Sequence, residues 1–239
     1  MRLTGTWTIL LGLALWALAG ASPVCAGEAR IPVGPAAALT LSVAVDSIKE
    51  MREAGITLQQ LDYSCGSAAL ATLFTAYLGQ PYTEADIINF IVKSTDLQKV
   101  AARRGFSLLD LKRFAEAHGV QAEGYQLDTP GLLELNCPVL VPLYRPDTKM
   151  RHFVIFRGAL GDRVFLADPA VGRQTMFRAE FERLWNPRVG MVFTHAGAPP
   201  TEETLLGVKP GDEIYIGAEA LRALVMRTAL QFIHQAHEY

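Results

Sequence analysis

The chain has 239 residues, half of them hydrophobic and 19% charged, with a formal net charge of −2. That balance suits one ordinary globular domain with short additions and gives no electrostatic reason to expect a nucleic-acid partner. No block of like charge, internal repeat or low-complexity tract interrupts it.

The first 26 residues read as a cleavable signal peptide: a positive start at Arg2, a short apolar run from Ile9 to Ala21, and small side chains at Val24 to Ala26. The run falls short of the ~20 residues that a membrane span needs. An uncleaved anchor is therefore the lesser alternative, and Ser22-Pro23-Val24 makes a poor lipoprotein signal for Cys25. Cleavage after Ala26 implies an exported protein, with the periplasm as its expected location. It leaves two cysteines, Cys65 and Cys137. Cys137 lies in "NCPVLVPL", the start of a buried strand, and a Cys65–Cys137 disulfide is not expected. A lone thiol kept in an oxidising compartment needs another explanation, and catalysis is one.

Residues 27–38 read as a flexible lead, and Leu39 to Asp46 alternates like a strand. Together they make an N-terminal region over 27–50. Ser47 and Glu50 form a capping box for a short helix to about Ala54. A second helix begins at or near Cys65, with Leu70, Leu73, Phe74 and Tyr77 as its apolar stripe and Gly79 at its end. Thr83 caps a third helix, with Asp86 in its first turn. Residues 94–104 are helical, and Ser107 with Asp110 opens a helix that Gly119 closes. The period then changes. "VQAEGYQL", "CPVLVPLY", "HFVIFRGA" and "RVFLADP" are strand-like, with turns at Arg145–Lys149 and Gly161–Asp162. "RAEFERLW" is a short helix and "VGMVFTH" a last strand. Helices followed by an antiparallel sheet make an α+β plan. Residues 198–239 are a linker and an amphipathic helix, with Leu221, Leu224, Val225, Thr228 and Phe232 on one face.

A catalytic cysteine needs a thiolate, a base, a group that orients the base, and donors for the oxyanion. Cys65 follows the turn-prone Asp62-Tyr63-Ser64 and opens a helix, where free N–H groups and the positive dipole end would stabilise a thiolate. Gly66 would leave room for a substrate backbone. Taken alone, the segment favours a small cysteine that packs the helix. His152 opens the strand "HFVIF", and Asp168 ends "VFLADP", 16 residues later. A hairpin between those strands can bring the carboxylate to the imidazole. Gln59 and Gln60, six and five residues before Cys65, each offer an amide that could join the Cys65 N–H at an oxyanion. His118, His195, His234 and His237 read as helix-end, linker and solvated residues. No spacing suits a zinc site, so neither metal nor cofactor is expected.

The blocks "QQLDYSCGSAALATLF", "FSLLDLKRFAEAHGVQAEGYQL", "CPVLVPL", "RHFVIF" and "VFLADPAVGR" together resemble the C39 family of cysteine peptidases, papain-like enzymes that remove leader peptides after double-glycine-type sites. The resemblance runs from about Ile56 to His195 and outlines a peptidase domain over 51–197. It implies a papain-like fold with Cys65, His152 and Asp168 as nucleophile, base and third member. It also implies an oxyanion glutamine at Gln59 by spacing, with Gln60 left open. Family members fused to ABC transporters work on the cytoplasmic side. This chain has neither transporter spans nor a nucleotide-binding motif, so no ATP is expected. It resembles a stand-alone exported branch of the kind found in functional-amyloid (Fap-type) secretion operons. That likeness implies a polypeptide substrate with small residues at the cleavage point, and an amyloid subunit and outer-membrane secretion pore as partners in biofilm assembly. A C39-like module that binds such a segment without cutting it is the alternative, and a papain-like cell-wall endopeptidase is a third.

Overall fold

The computed structural model describes residues 27–33, 39–45, 47–199, 201–208 and 212. The expected signal peptide and C-terminal amphipathic helix lie outside them. The chain divides into two compact units, one ending at Met51 and the other beginning at Arg52.

In the first unit, β1 (Gly27–Val33) and β2 (Leu39–Val45) form an antiparallel pair, with Ala29 opposite Val43 and Ile31 opposite Leu41. The expected strand at Leu39 is present. The stretch read as a flexible lead is itself a strand: the register to β2 orders Gly27–Val33, which its own glycine, alanine and proline would not do. Helix α1 (Ile48–Glu53) opens on the expected capping box, with Glu50 N–H donating to Ser47 Oγ at 3.1 Å and Ser47 N–H to Glu50 Oε2 at 2.7 Å.

In the second unit, α2 (Cys65–Thr72) continues as one π turn over Leu73–Tyr77, and Gly79 ends it at φ +68°. Leu70, Leu73 and Phe74 are fully buried, but so are Ala68, Ala69 and Ala71. This is a central helix buried all round rather than one with a single apolar stripe, and its alanines let neighbours approach on every side. Around it stand α3 (Glu84–Ser94), α4 (Leu97–Arg103) and α5 (Leu108–Ala117). Capping boxes at Thr83–Asp86 and Ser107–Asp110 begin the first and last of these.

The rest is β3 (Gln121–Gln126), α6 (Thr129–Glu134), β4 (Val139–Arg145), β5 (Met150–Leu160), β6 (Arg163–Asp168), β7 (Gly172–Phe177), α7 (Arg178–Leu184) and β8 (Val189–Thr194). The strands form one antiparallel sheet in the order β3-β8-β4-β5-β6-β7. One face packs Leu140, Ile155 and Ala167 against α2, α3 and α5. The other packs Val141, Val154 and Leu166 against Phe181 and Trp185, at the end of the chain's path through α7. The α+β plan is the expected one. In this unit two elements lie outside the expected ones: β7, whose "GRQTMF" has no apolar alternation, and α6, whose Pro130 and Gly131 follow an Asp128 cap.

Candidate active site

The approach to Cys65 is a tight turn. Ser64 N–H and Ser64 Oγ both donate to Leu61 O, at 3.3 and 2.8 Å, and Leu61 N–H donates back to Ser64 Oγ at 3.2 Å. The Ser64 hydroxyl is spent on this turn and makes no side-chain cap on α2. The helix therefore presents its N-terminal dipole end at Cys65 without a side-chain acceptor from Ser64. The thiol is partly exposed and free, as is that of Cys137. Gly66 does not open a path for substrate, as the sequence had suggested. It is buried, and a Cβ there would stand 3.2 Å from both Leu111 Cδ1 and Phe153 Cδ2. The glycine lets α2 settle onto β5 and α5.

His152 stands on β5 opposite Leu143 of β4. Ile155 faces Ala167 across the β5–β6 ladder, so Asp168 continues the register beside Val154. His152 is then one diagonal step away on the same face, within reach of a side chain. The two meet: His152 Nε2 lies 2.6 Å from Asp168 Oδ1, with the imidazole side chain 12% exposed and the carboxylate fully buried. Nε2 is thereby committed to Asp168, which leaves Nδ1 for the thiol.

The environment of this pair favours its charged form. Burial alone would pull the His152 pKa down. The hydrogen bond to Asp168, that to the Cys65 thiol and the charges of both outweigh burial, and the imidazole is pushed up from 6.5 to about 9. Burial likewise works to raise the Asp168 pKa. The hydrogen bond and charge of His152, the Ala170 N–H and the Arg145 guanidinium reverse that and hold the carboxyl below its ordinary value. Asp168 also accepts from Arg145 Nη2 at 3.0 Å, Gln174 Nε2 at 2.7 Å and Ala170 N–H at 2.7 Å. Arg145 had read as a turn residue, and Gln174 lies on the strand that was not anticipated. Knowing the β6–β7 register would have found Gln174, because Leu166 pairs with Gln174 and Asp168 with Gly172.

The glutamines separate. Gln59 is partly buried, and its N–H donates to Pro169 O at 2.8 Å, so it is tied to the residue after Asp168. One hydrogen of its side-chain amide goes to Leu61 O at 3.2 Å, and Oε1 is buried without a partner. Nε2 therefore keeps a second hydrogen to donate. Gln60 is exposed. Its side chain folds back to Leu58 O at 3.2 Å, while its N–H donates to the Glu84 carboxylate. Cys137 sits just before β4 and packs against both core clusters, where burial pushes its thiol pKa up.

A buried helix headed by a cysteine, packed on an antiparallel sheet that carries a His–Asp pair, has the α+β fold of papain-like cysteine peptidases. Residues 53–196 match the Peptidase C39 family, and the chain belongs to that family. Its fold is similar to the peptidase domain of Streptococcus ComA, a bifunctional ABC transporter involved in a quorum-sensing pathway. The TM-score is 0.50 at 20% identity, over 60% of this chain and 97% of that one. The chain is 35% identical over 177 residues to a probable functional amyloid protease FapD of Pseudomonas fluorescens, covering 74% of this chain and 75% of the relative. It is 36% identical over 153 residues to a protein of the same name from Pseudomonas aeruginosa. That match covers 64% of this chain and 65% of the relative, just under two thirds of its length.

Proposed function

We propose that the protein is a periplasmic cysteine endopeptidase that cleaves an exported polypeptide, with Cys65 as nucleophile, His152 as base, Asp168 as the group that orients it and Gln59 as an oxyanion donor. The observation that carries this reading is the His152–Asp168 contact of 2.6 Å beside a thiol at the head of a buried helix. His152 takes the Cys65 proton, and the thiolate attacks a peptide carbonyl. The oxyanion accepts from the Cys65 N–H and Gln59 Nε2. The tetrahedral adduct collapses to a thioester as the imidazolium protonates the departing amine. Water, deprotonated by His152, then releases the acid and restores the thiol.

The leader-like first 26 residues support export. The relatives named as functional amyloid proteases support an amyloid subunit as substrate, with an outer-membrane pore as a further partner. Likeness to a family that cuts after double-glycine-type sites supports small residues at the cleavage point. The test is Cys65→Ala in the native host, with the exported proteins analysed by mass spectrometry. The variant should fold like wild type and lose processing by at least about a thousandfold. Processing at the wild-type rate would show that another residue is the nucleophile.

A further inference from the structure

Asp168 is wholly buried, and each of its oxygens accepts two hydrogen bonds. Oδ1 takes His152 Nε2 at 2.6 Å and Ala170 N–H at 2.7 Å, and Oδ2 takes Arg145 Nη2 at 3.0 Å and Gln174 Nε2 at 2.7 Å. The donors come from β5, from the turn after β6, from β4 and from β7. The register explains why they converge. Arg145 is two residues beyond Leu143, which faces His152, and Gln174 faces Leu166, two residues before Asp168. By strand alternation all four side chains share one face of four adjacent strands.

The oxyanion and nucleophile chemistry described above uses neither Arg145 nor Gln174, yet both act on the group that holds the base. Turning the carboxylate about its terminal bond would break all four hydrogen bonds together. Its plane, and through it the plane of the imidazole, is therefore fixed by the strands. Arg145 adds something that Gln174 lacks. A buried carboxylate with its whole charge against an imidazolium grips the proton tightly, and a guanidinium on the far oxygen draws part of that charge away. The Arg145 side chain is 41% exposed, so solvent weakens this effect without cancelling it.

We propose that Arg145 and Gln174 are positioning residues of the site: together they lock the Asp168 carboxylate, and Arg145 also moderates its charge so that His152 can release the proton it takes from Cys65. This rests on the reading that Cys65 and His152 are the working pair. The groups facing the His152–Asp168 pair are Cys65 from α2, Arg145 from β4 and the neutral Gln174 from β7.

The test follows the His152 ring by long-range proton–nitrogen NMR in the full chain, which needs no substrate. Arg145→Gln keeps a donor and drops the charge, and it should move the imidazole midpoint upward by about half a unit. Arg145→Lys should return it to the wild-type value. Gln174→Leu should leave the midpoint in place and let the Nε2–H exchange with solvent about tenfold faster. A purely structural role would lower the melting temperature and move neither quantity. If Arg145→Gln and Gln174→Leu fold and both readouts match wild type, the proposal is overturned. If the shifts appear but Cys65→Ala processes normally in the host, the peptidase reading fails and the positioning roles stand.

Discussion

The backbone N–H of Gln59 donates to the carbonyl of Pro169 at 2.8 Å, which joins the loop before Cys65 to the residue after Asp168. The next N–H, that of Gln60, donates to Glu84 Oε1 and Oε2 at 3.2 and 3.1 Å. Glu84 begins α3 and is 6% exposed. Two successive backbone amides are thus anchored to two different parts of the fold. The glutamine loop is thereby tied both to the residue after Asp168 and to the start of α3.

Glu84→Ala would leave the Gln60 N–H without its acceptor in a partly buried place. The expected loss of stability is about 1–3 kcal/mol, read by urea denaturation. The Gln59 loop should loosen with it, so processing should fall by more than the fold loss explains. Glu84→Gln keeps a carbonyl acceptor and should retain most of both. Equal losses in the Ala and Gln variants would mean that the carboxylate charge, not the hydrogen bond, holds the loop.

The His152–Asp168 pair makes stability depend on pH in a defined direction. The folded-state pKa of His152, about 9, lies above its unfolded 6.5. Its contribution is therefore fully present below about pH 6.5 and is lost as pH rises through about 9. Asp168 is depressed below the ordinary carboxyl value of 3.8, so its contribution is present above that pH and is lost as pH falls through the lower folded value. The pair stabilises most between these limits. Denaturation across alkaline pH should show a loss of a few kcal/mol for wild type. His152→Phe should flatten that alkaline slope. An unchanged slope in the variant would place its origin elsewhere.

Much of the helical half was legible because its signals are local. Thr83 with Asp86 and Ser107 with Asp110 each lie within one turn, and each forms the capping box its spacing implies. Asp168 and His152 stood out because polar residues at the ends of apolar strands need a reason. Arg145 and Gln174 did not stand out, because their partners are 23 and 6 residues away along the chain and depend on sheet register. β7 gains its strand state from pairing with β6, not from its own residues. Gly66 misled for a related reason: a glycine beside a nucleophile suggests access, but Leu111 and Phe153 use the space.

Gly172 pairs with Asp168 at the β6–β7 turn and holds φ +85°. A Cβ there would sit 2.5 Å from the backbone oxygen of Arg52. Neither the left-handed conformation nor a backbone clash can be relieved by a rotamer change. Gly172→Ala should cost about 2 kcal/mol or more in chemical denaturation. It should also slow alkylation of Cys65, since the displaced turn carries Pro169 and Ala170, which hold Gln59 and Asp168. A variant with wild-type stability would mean that the Arg52 segment yields freely.

The two glutamines should behave oppositely. Gln59 Nε2 is oriented by Leu61 O and keeps a second hydrogen, which the proposed mechanism directs to an oxyanion beside Cys65. Gln59→Ala should lower kcat by about a hundredfold to a thousandfold with little change in KM, because the donor acts on charge that appears only in the transition state. Gln60→Ala removes an exposed side chain whose amide returns to Leu58 O, and the backbone N–H that meets Glu84 survives the substitution. Its kcat should stay within about twofold of wild type, in keeping with a surface change. The comparison needs a peptide substrate drawn from the mapped cleavage site and both constants measured for each variant. Equal losses in the two would return the oxyanion role to the loop as a whole. A larger loss for Gln60 would reassign it.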